Sequence, residues 1–276
     1  MNRLLLAVIA PALVTAAFAD EPDRKPDAKP DTAPGTTPAG PVNLVLYELR
    51  ELQASPGKLD ALHGQLRDHQ IPLLKEHGIF TQAVFVPAGE NPNELVYLLT
   101  AADGLGPMEK GWAGFHEDPK WLEAKRATES EAPLVARLHF QRLVTTYWSP
   151  RLKLEHATEP RVFELRTYTC PDPSKQIALR RRFREHTMKL FEKHGMQNIV
   201  YWTPDEDEPA FLQKLVYLLA HKSQDAAKES FAGFRADPDW IAAKKASEEA
   251  AGGSLTMKEN GVLSEFLEAT EYSPLR

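Results

Sequence analysis

The chain holds 276 residues, 42% of them hydrophobic and 26% charged, with a formal net charge of −6 at pH 7. That is enough length and apolar content for ordinary folded cores, and the acidic balance argues against nucleic acid and anionic membranes as main partners. Cys170 is the only cysteine, which excludes a disulfide within the chain and reads as a structural residue at a strand end rather than a reactive thiol.

The first residues carry a basic start at Arg3, an apolar run from Leu4 to Ala17, and the small-x-small pattern Ala17-Phe18-Ala19. This run falls short of the ~20 apolar residues a membrane span needs, so residues 1–19 read as a signal peptide cleaved after Ala19. Export to the periplasm or the medium is the expectation, without stable membrane insertion. Residues 20–41 are mostly Pro, Asp, Lys, Thr, Ala and Gly, too poor in apolar side chains to offset the entropy of ordering, and read as a disordered tether. Loss of the leader removes only Arg3, so the mature net charge is −6 minus +1, or −7.

From residue 42 the chain is written twice. Asp118-Pro119-Lys120-Trp121 recurs as Asp237-Pro238-Asp239-Trp240, 119 positions on. The Asp suits a helix N-cap, because its carboxylate accepts from free first-turn N–H groups, and the Pro suits the first helical position. A helix start alone does not call for the Trp, and the flanks repeat as well. Tyr47-Glu48-Leu49-Arg50 matches Phe163-Glu164-Leu165-Arg166, His77-Gly78 matches His194-Gly195, and Trp148-Ser149-Pro150 matches Tyr272-Ser273-Pro274. The offset drifts only from 116 to 124, the mark of a tandem duplication into repeat one (42–152) and repeat two (160–276).

Each repeat reads as strand, helix, strand, strand, helix, strand. The opening strand of repeat two, Arg161 to Thr169, alternates Phe163, Leu165 and Thr167 with Glu164, Arg166 and Tyr168. The first helix runs from about Lys58 to Glu76, and from about Ser174 to Lys193, on the stripes Leu62, Leu66, Leu73 and Leu179, Phe183, Leu190. Gly78 and Gly195 end it. Pro72 interrupts the first copy and is expected to bend it; repeat two has no proline there. The second strand ends at Pro87 or Pro204, and the third is Leu95–Leu99 or Leu215–Leu219. A broken helix through Trp112 and Phe115 and a last strand before Ser-Pro complete the unit. That order is the split βαβ pattern, an antiparallel four-stranded sheet with helices on one face. The other face is bare, so the two sheets are expected to cover each other in an α+β, single-chain pseudo-dimeric α/β barrel.

At Phe163-Glu164-Leu165-Arg166-Thr167-Tyr168, His194-Gly195, Trp202, Leu215-Val216-Tyr217-Leu218-Leu219 and Phe234 leading into Asp237-Pro238-Asp239-Trp240, the chain resembles the NIPSNAP family. The resemblance implies the dimeric α/β-barrel group of ferredoxin-like folds. It implies a binding or scaffold role more than an enzymatic one, although the wider group includes cofactor-free monooxygenases, isomerases and haem-binding enzymes. Many family members carry an arginine between the third strand and the second helix; Gly104–Pro107 and Ser223–Ala226 have none here.

His69 and His186 fall on the apolar stripe of the first helix, expected to face inward as proton-transferring or ligand-contacting groups, or as core histidines bonded to a neighbour. Glu48, Arg50, Glu164 and Arg166 share one strand face, expected in the barrel lumen, where they would hold a polar ligand or pair across the barrel. Tyr168, Tyr97, Tyr217 and Trp202 are candidates to line the same pocket, or belong to the core. His77 and His194 read as C-terminal caps. No spacing suits a metal, no cofactor is specified, and neither a nucleophile elbow nor a phosphate-binding glycine loop is present. The reading is an exported protein that binds a small molecule or partner. A cofactor-light enzyme using a helix-borne histidine and a structural interaction module are the alternatives, and further homo-oligomerisation stays open.

Overall fold

The computed structural model describes residues 45–276 apart from Pro209. The leader read at 1–19 and the tether read at 20–41 lie outside the described residues. Repeat one comprises β1 (Leu46–Ala54), α1 (Leu59–Gln65), α2 (Ile71–Glu76), β2 (Phe80–Pro87), β3 (Leu95–Ala102), α3 (Leu105–Glu117), α4 (Pro119–Thr128) and β4 (Val135–Thr145). Repeat two follows with β5 (Val162–Thr169), α5 (Pro173–Arg182), α6 (Met188–Lys193), β6 (Gln197–Pro204), β7 (Lys214–His221), α7 (Gln224–Ala236), α8 (Pro238–Ala250) and β8 (Val262–Ala269).

All eight strands close into one antiparallel barrel in the order β1-β3-β2-β8-β5-β7-β6-β4. Within a repeat the sheet ladders are long, Leu46 to Gln53 of β1 pairing residue by residue with β3. The two joints are short: Phe85–Pro87 meets Leu267–Ala269, and Leu143–Thr145 meets Trp202–Pro204. What holds the repeats together is therefore chiefly the lumen, which is filled. Tyr47 meets Trp202 edge-on with ring centres 5.6 Å apart, and Phe85 meets Phe163 at 4.9 Å, each pair crossing from one repeat to the other. Leu99, Ala101, Leu143, Val216, Leu218 and Leu267 pack around them. The paired Ser-Pro ends tie the joints. Ser149 Oγ accepts from Tyr201 N and Ser273 Oγ from Val84 N, both at 2.9 Å, so each repeat satisfies a strand of the other.

Two expectations about the first helix are corrected. Pro72 does not cause its break, because both copies contain a π-helical turn at the same place, Leu66–Gln70 and Phe183–Thr187. There Ile71 N reaches Leu66 O and Met188 N reaches Phe183 O, five residues back. Pro72 lies just past a turn that opens the regular ladder with or without a proline. The inserted residue also rotates the apolar stripe, which passes from Leu66 to Leu73 and Leu74, and from Phe183 to Leu190 and Phe191. His69 and His186 fall in the turn itself and are exposed, not inward.

The shared Asp-Pro-x-Trp, His-Gly and Ala-Gly-Phe pieces form one clamp. Asp118 and Asp237 cap α4 and α8, accepting from Lys120 N and Asp239 N, while the other carboxylate oxygen meets His77 Nε2 at 2.8 Å and His194 Nε2 at 2.7 Å. Those histidines are the C-caps of α2 and α6, as expected, but their rings reach across to the second helical pair. The His77 hydrogen bond, with that from Lys120 N, holds Asp118 below the usual carboxylate range. Phe115 and Phe234 stack at 4.6 and 4.4 Å on Trp121 and Trp240. Gly114 and Gly233 leave room for the imidazoles, since a Cβ on either would sit 2.9 Å from the histidine Nδ1.

Gly233→Ala is accordingly expected to destabilise the protein by about 1–3 kcal/mol despite alanine's better helix propensity. Gly64→Ala in α1, where nothing lies within 4 Å of the added methyl, is expected to stabilise it by about 0.5–1 kcal/mol. Denaturant midpoints of the two variants check both signs.

Candidate functional site

Strand alternation places Tyr47, Leu49, Phe163 and Leu165 toward the lumen and Glu48, Arg50, Glu164 and Arg166 under the helices. The expectation that these four charges line the lumen is thus reversed. The lumen layer around Tyr47, Phe85, Phe163 and Trp202 is apolar, whereas the helix side offers the charges polar and aromatic partners. Trp202 and Tyr97 are in the lumen layer, and Tyr97 OH donates to Glu265 at 2.7 Å.

Tyr217 is on the opposite face from Tyr97, although the letters around them match. Leu98 pairs with Arg50 while Tyr217 pairs with Arg166, so Leu98 is the structural counterpart of Tyr217 and Val216 that of Tyr97. The β2–β3 connection spans 88–94 and the β6–β7 connection 205–213, two residues more, which carries the structural offset from 117 to 119. The shared Leu-Val-Tyr-Leu-Leu matches at 120, one residue out of step, and a one-residue slip moves every side chain to the other face.

Four of the sequence candidates come together in repeat two: Glu164, Arg166, Tyr168 and Tyr217. Arg166 Nε donates to Tyr217 OH at 3.0 Å and its Nη1 to Glu164. Glu164 also accepts from Ser264 Oγ and lies 2.9 Å from His221 Nε2. Burial alone would raise Glu164, but the His221 hydrogen bond and the Arg166 charge outweigh it and hold the carboxyl below its ordinary value. The Arg166 guanidinium lies 4.5 Å from the Phe231 ring centre, and Tyr168 packs 5.5 Å from Tyr217. His221 and Ser264 escaped the sequence reading because repeat one has Ala102 and Phe140 at those places. No repeat-based signal could have found them.

Above this network Arg166 and Tyr168 open onto a cavity of about 610 Å³, walled by Phe231, Phe234, Trp240, Arg235, Lys244, Lys245, Glu248 and Glu249. Both acids are engaged, Glu249 with Lys245 at 3.8 Å and Glu248 with Arg182 at 3.8 Å. Arg235 and Lys244 have no partner among the described residues, and the Arg166 guanidinium lies 5.7 Å from the Tyr168 ring centre, so the cavity is cationic and aromatic. Repeat one closes the equivalent place. Arg50 pairs with Glu48 at 2.5 Å and is pressed against Trp112, 3.3 Å from its ring centre, with Phe140 at 5.6 Å. Bulkier Trp112 and Phe140 stand where repeat two has Phe231 and Ser264. Cys170 is buried at the end of β5, its thiol pushed up to about 12 by that burial, as a structural cysteine should be. Among the described residues no cluster of His, Cys, Asp or Glu could hold a metal, and no helix is long and apolar enough to cross a membrane.

Glu164→Gln leaves Arg166 without its buried counter-charge, and a loss of about 3–5 kcal/mol at pH 7 is expected. Because the folded pKa is lowered, Glu164 contributes fully above the unfolded value of about 4.3 and loses that contribution as pH falls through the folded one. Denaturant unfolding at pH 7 and pH 3 will therefore show the gap between wild type and variant narrowing at the lower pH.

The solved structures similar to this one include two proteins provisionally named monooxygenases. One, from Lactobacillus acidophilus NCFM, has 12% sequence identity and a TM-score of 0.50, with 82% of this chain and 94% of that one covered. The other, from Fusobacterium nucleatum subsp. nucleatum, has 9% identity and a TM-score of 0.53, covering 83% and 93%. At these identities the likeness is one of fold. A NIPSNAP-like domain protein from Burkholderia xenovorans matches at 18% identity and a TM-score of 0.35 over 40% of this chain and 93% of its own. No curated protein matches. The NIPSNAP family model matches residues 47–150 and again 163–274, so the chain belongs to the NIPSNAP family, as two tandem copies of its domain.

Proposed function

We propose that this chain is a small-molecule-binding protein whose site is the cavity of repeat two over Arg166 and Tyr168, and that its ligand is an aromatic or otherwise planar organic anion. The observation that carries this reading is Arg166. Glu164 and Tyr217 fix its guanidinium, and the residue lines the cavity beside Tyr168. A pre-oriented guanidinium suits a carboxylate, and Tyr168, Phe231 and Trp240 offer flat apolar walls for the rest of the molecule. Catalysis draws less support. His69 and His186 are exposed and have no hydrogen-bond partner among the described residues to orient them, and His221, which is oriented, is sealed beneath Arg166 rather than lining the cavity. The leader pattern at 1–19 supports action outside the cytoplasm.

Native mass spectrometry of protein purified gently from its own cell tests both parts. Wild type is expected to carry a mass that Arg166→Gln loses and Arg50→Gln keeps; one charge-assisted contact of about 1.5–3 kcal/mol corresponds to a roughly 10- to 100-fold loss of affinity. A mass carried equally by Arg166→Gln would move the site elsewhere. The same spectrum is expected to show a chain beginning at Asp20.

A further inference from the structure

On the other side of α8 lies a second cavity, of about 650 Å³, between the first helix of repeat two and the small side chains Ala242, Ala243 and Ala246. Arg182 lines it and is 5% exposed. Its guanidinium lies 5.0 Å from the Trp240 ring centre, Nη1 donates to Ser247 Oγ at 3.2 Å, and Glu248 lies 3.8 Å away. Its Nε is buried and has no partner among the described residues. Arg181 and Lys189 line the same cavity. The two carboxylates on its wall are drawn elsewhere, Glu185 to Arg184 at 2.5 Å and Asp239 toward Lys193 at 3.6 Å.

Repeat one shows what this place needs for folding alone. Gln65 stands for Arg182 and Thr128 for Ser247, and Gln65 Nε2 donates to Thr128 Oγ1 at 2.6 Å. The same amide also donates to Glu129 at 3.2 Å, so repeat one makes the helix-to-helix cross-link from a neutral side chain to a hydroxyl and a carboxylate. Gly64 and Pro72 stand for Arg181 and Lys189. Repeat two has converted three neutral positions into three cations around one cavity, one of them buried with an unsatisfied donor. Glu248, Ser247 and Trp240 account for Arg182, but Arg181 and Lys189 have no carboxylate partner among the described residues, so no ion pair within the chain accounts for those two charges. An anion does: a dianion in the cavity would meet the unpaired Arg181 and Lys189, with the Arg182 guanidinium lining the wall behind them.

We infer that this cavity binds the phosphate group of a small phosphomonoester, with its oxygens on Arg182, Arg181 and Lys189 and its organic part against the alanine wall of α8. The site is separate from the Arg166 cavity, and α8 divides the two.

Calorimetric titration of the full chain at low salt with phenyl phosphate, and with benzoate as the monoanionic comparison, tests the inference. The expected result is a saturable phenyl phosphate site that persists in Arg166→Gln, where phenyl phosphate binds more tightly than benzoate does. Its affinity should fall at least tenfold in Arg182→Gln, which installs the residue repeat one folds with, and in Lys189→Ala, which alters an exposed side chain. Arg166→Gln should leave it unchanged. Absence of saturable phenyl phosphate binding, wild-type affinity in both Arg182→Gln and Lys189→Ala, or benzoate binding to Arg166→Gln as tightly as phenyl phosphate would each overturn the proposal. Weakening by Arg166→Gln alone would also overturn it, assigning the phosphate to the other cavity.

Discussion

Each four-stranded sheet has one face beneath its helices and one face with nothing of its own repeat to cover it, and the other repeat's sheet is the cover. That mutual burial governs the rest of the molecule. Tyr47, Phe85, Phe163 and Trp202 are fully or nearly buried only because each meets a partner from the opposite repeat. With so few ladder pairs at the two joints, apolar packing in the lumen carries the association, and the Ser149 and Ser273 hydroxyls fix its register. Among the described residues, apolar side chains from both repeats pack together in this lumen. Polar chemistry is displaced to the helix side, where Glu-x-Arg from each central strand finds aromatic and hydroxyl partners.

Duplication then allowed the repeats to part. Both keep the histidine–aspartate clamp and the π turn, which are structural. Only repeat two adds His221 and Ser264 around Glu164, smaller side chains above Arg166, and a cationic run along its first helix. Repeat one covers Arg50 with Trp112 and Phe140 and makes its helix cross-link from neutral Gln65 to Thr128 and Glu129. Positive charge in an acidic protein is thereby concentrated on one side of one repeat, around two cavities.

Much of the fold was legible in the sequence. The duplicated motifs, the period-two strand and the glycine stops led to the right elements in the right order, and the bare sheet face led to the pseudo-dimeric barrel. The site was legible only in part. Glu164, Arg166, Tyr168 and Tyr217 do converge, but on the face opposite to the one expected, because alternation shows that a strand has two faces without saying which one a helix will cover. A helical stripe read at a constant period does not register the extra residue of the π turn, and it puts His69 and His186 inward where the turn leaves them exposed. Five matching letters align Tyr97 with Tyr217, but the β6–β7 loop is two residues longer than β2–β3 and puts the two tyrosines on opposite faces. His221 and Ser264 stand opposite Ala102 and Phe140, and a comparison of two repeats sees only what both retain.

The mutual cover of the two sheets is tested most directly by producing repeat two, residues 160–276, on its own and measuring its mass and unfolding in solution. The account predicts no folded monomer: the half-chain either stays unfolded or pairs with a second copy through the face that carries Phe163 and Trp202. A monomer of repeat two that unfolds cooperatively with native-like stability would contradict it.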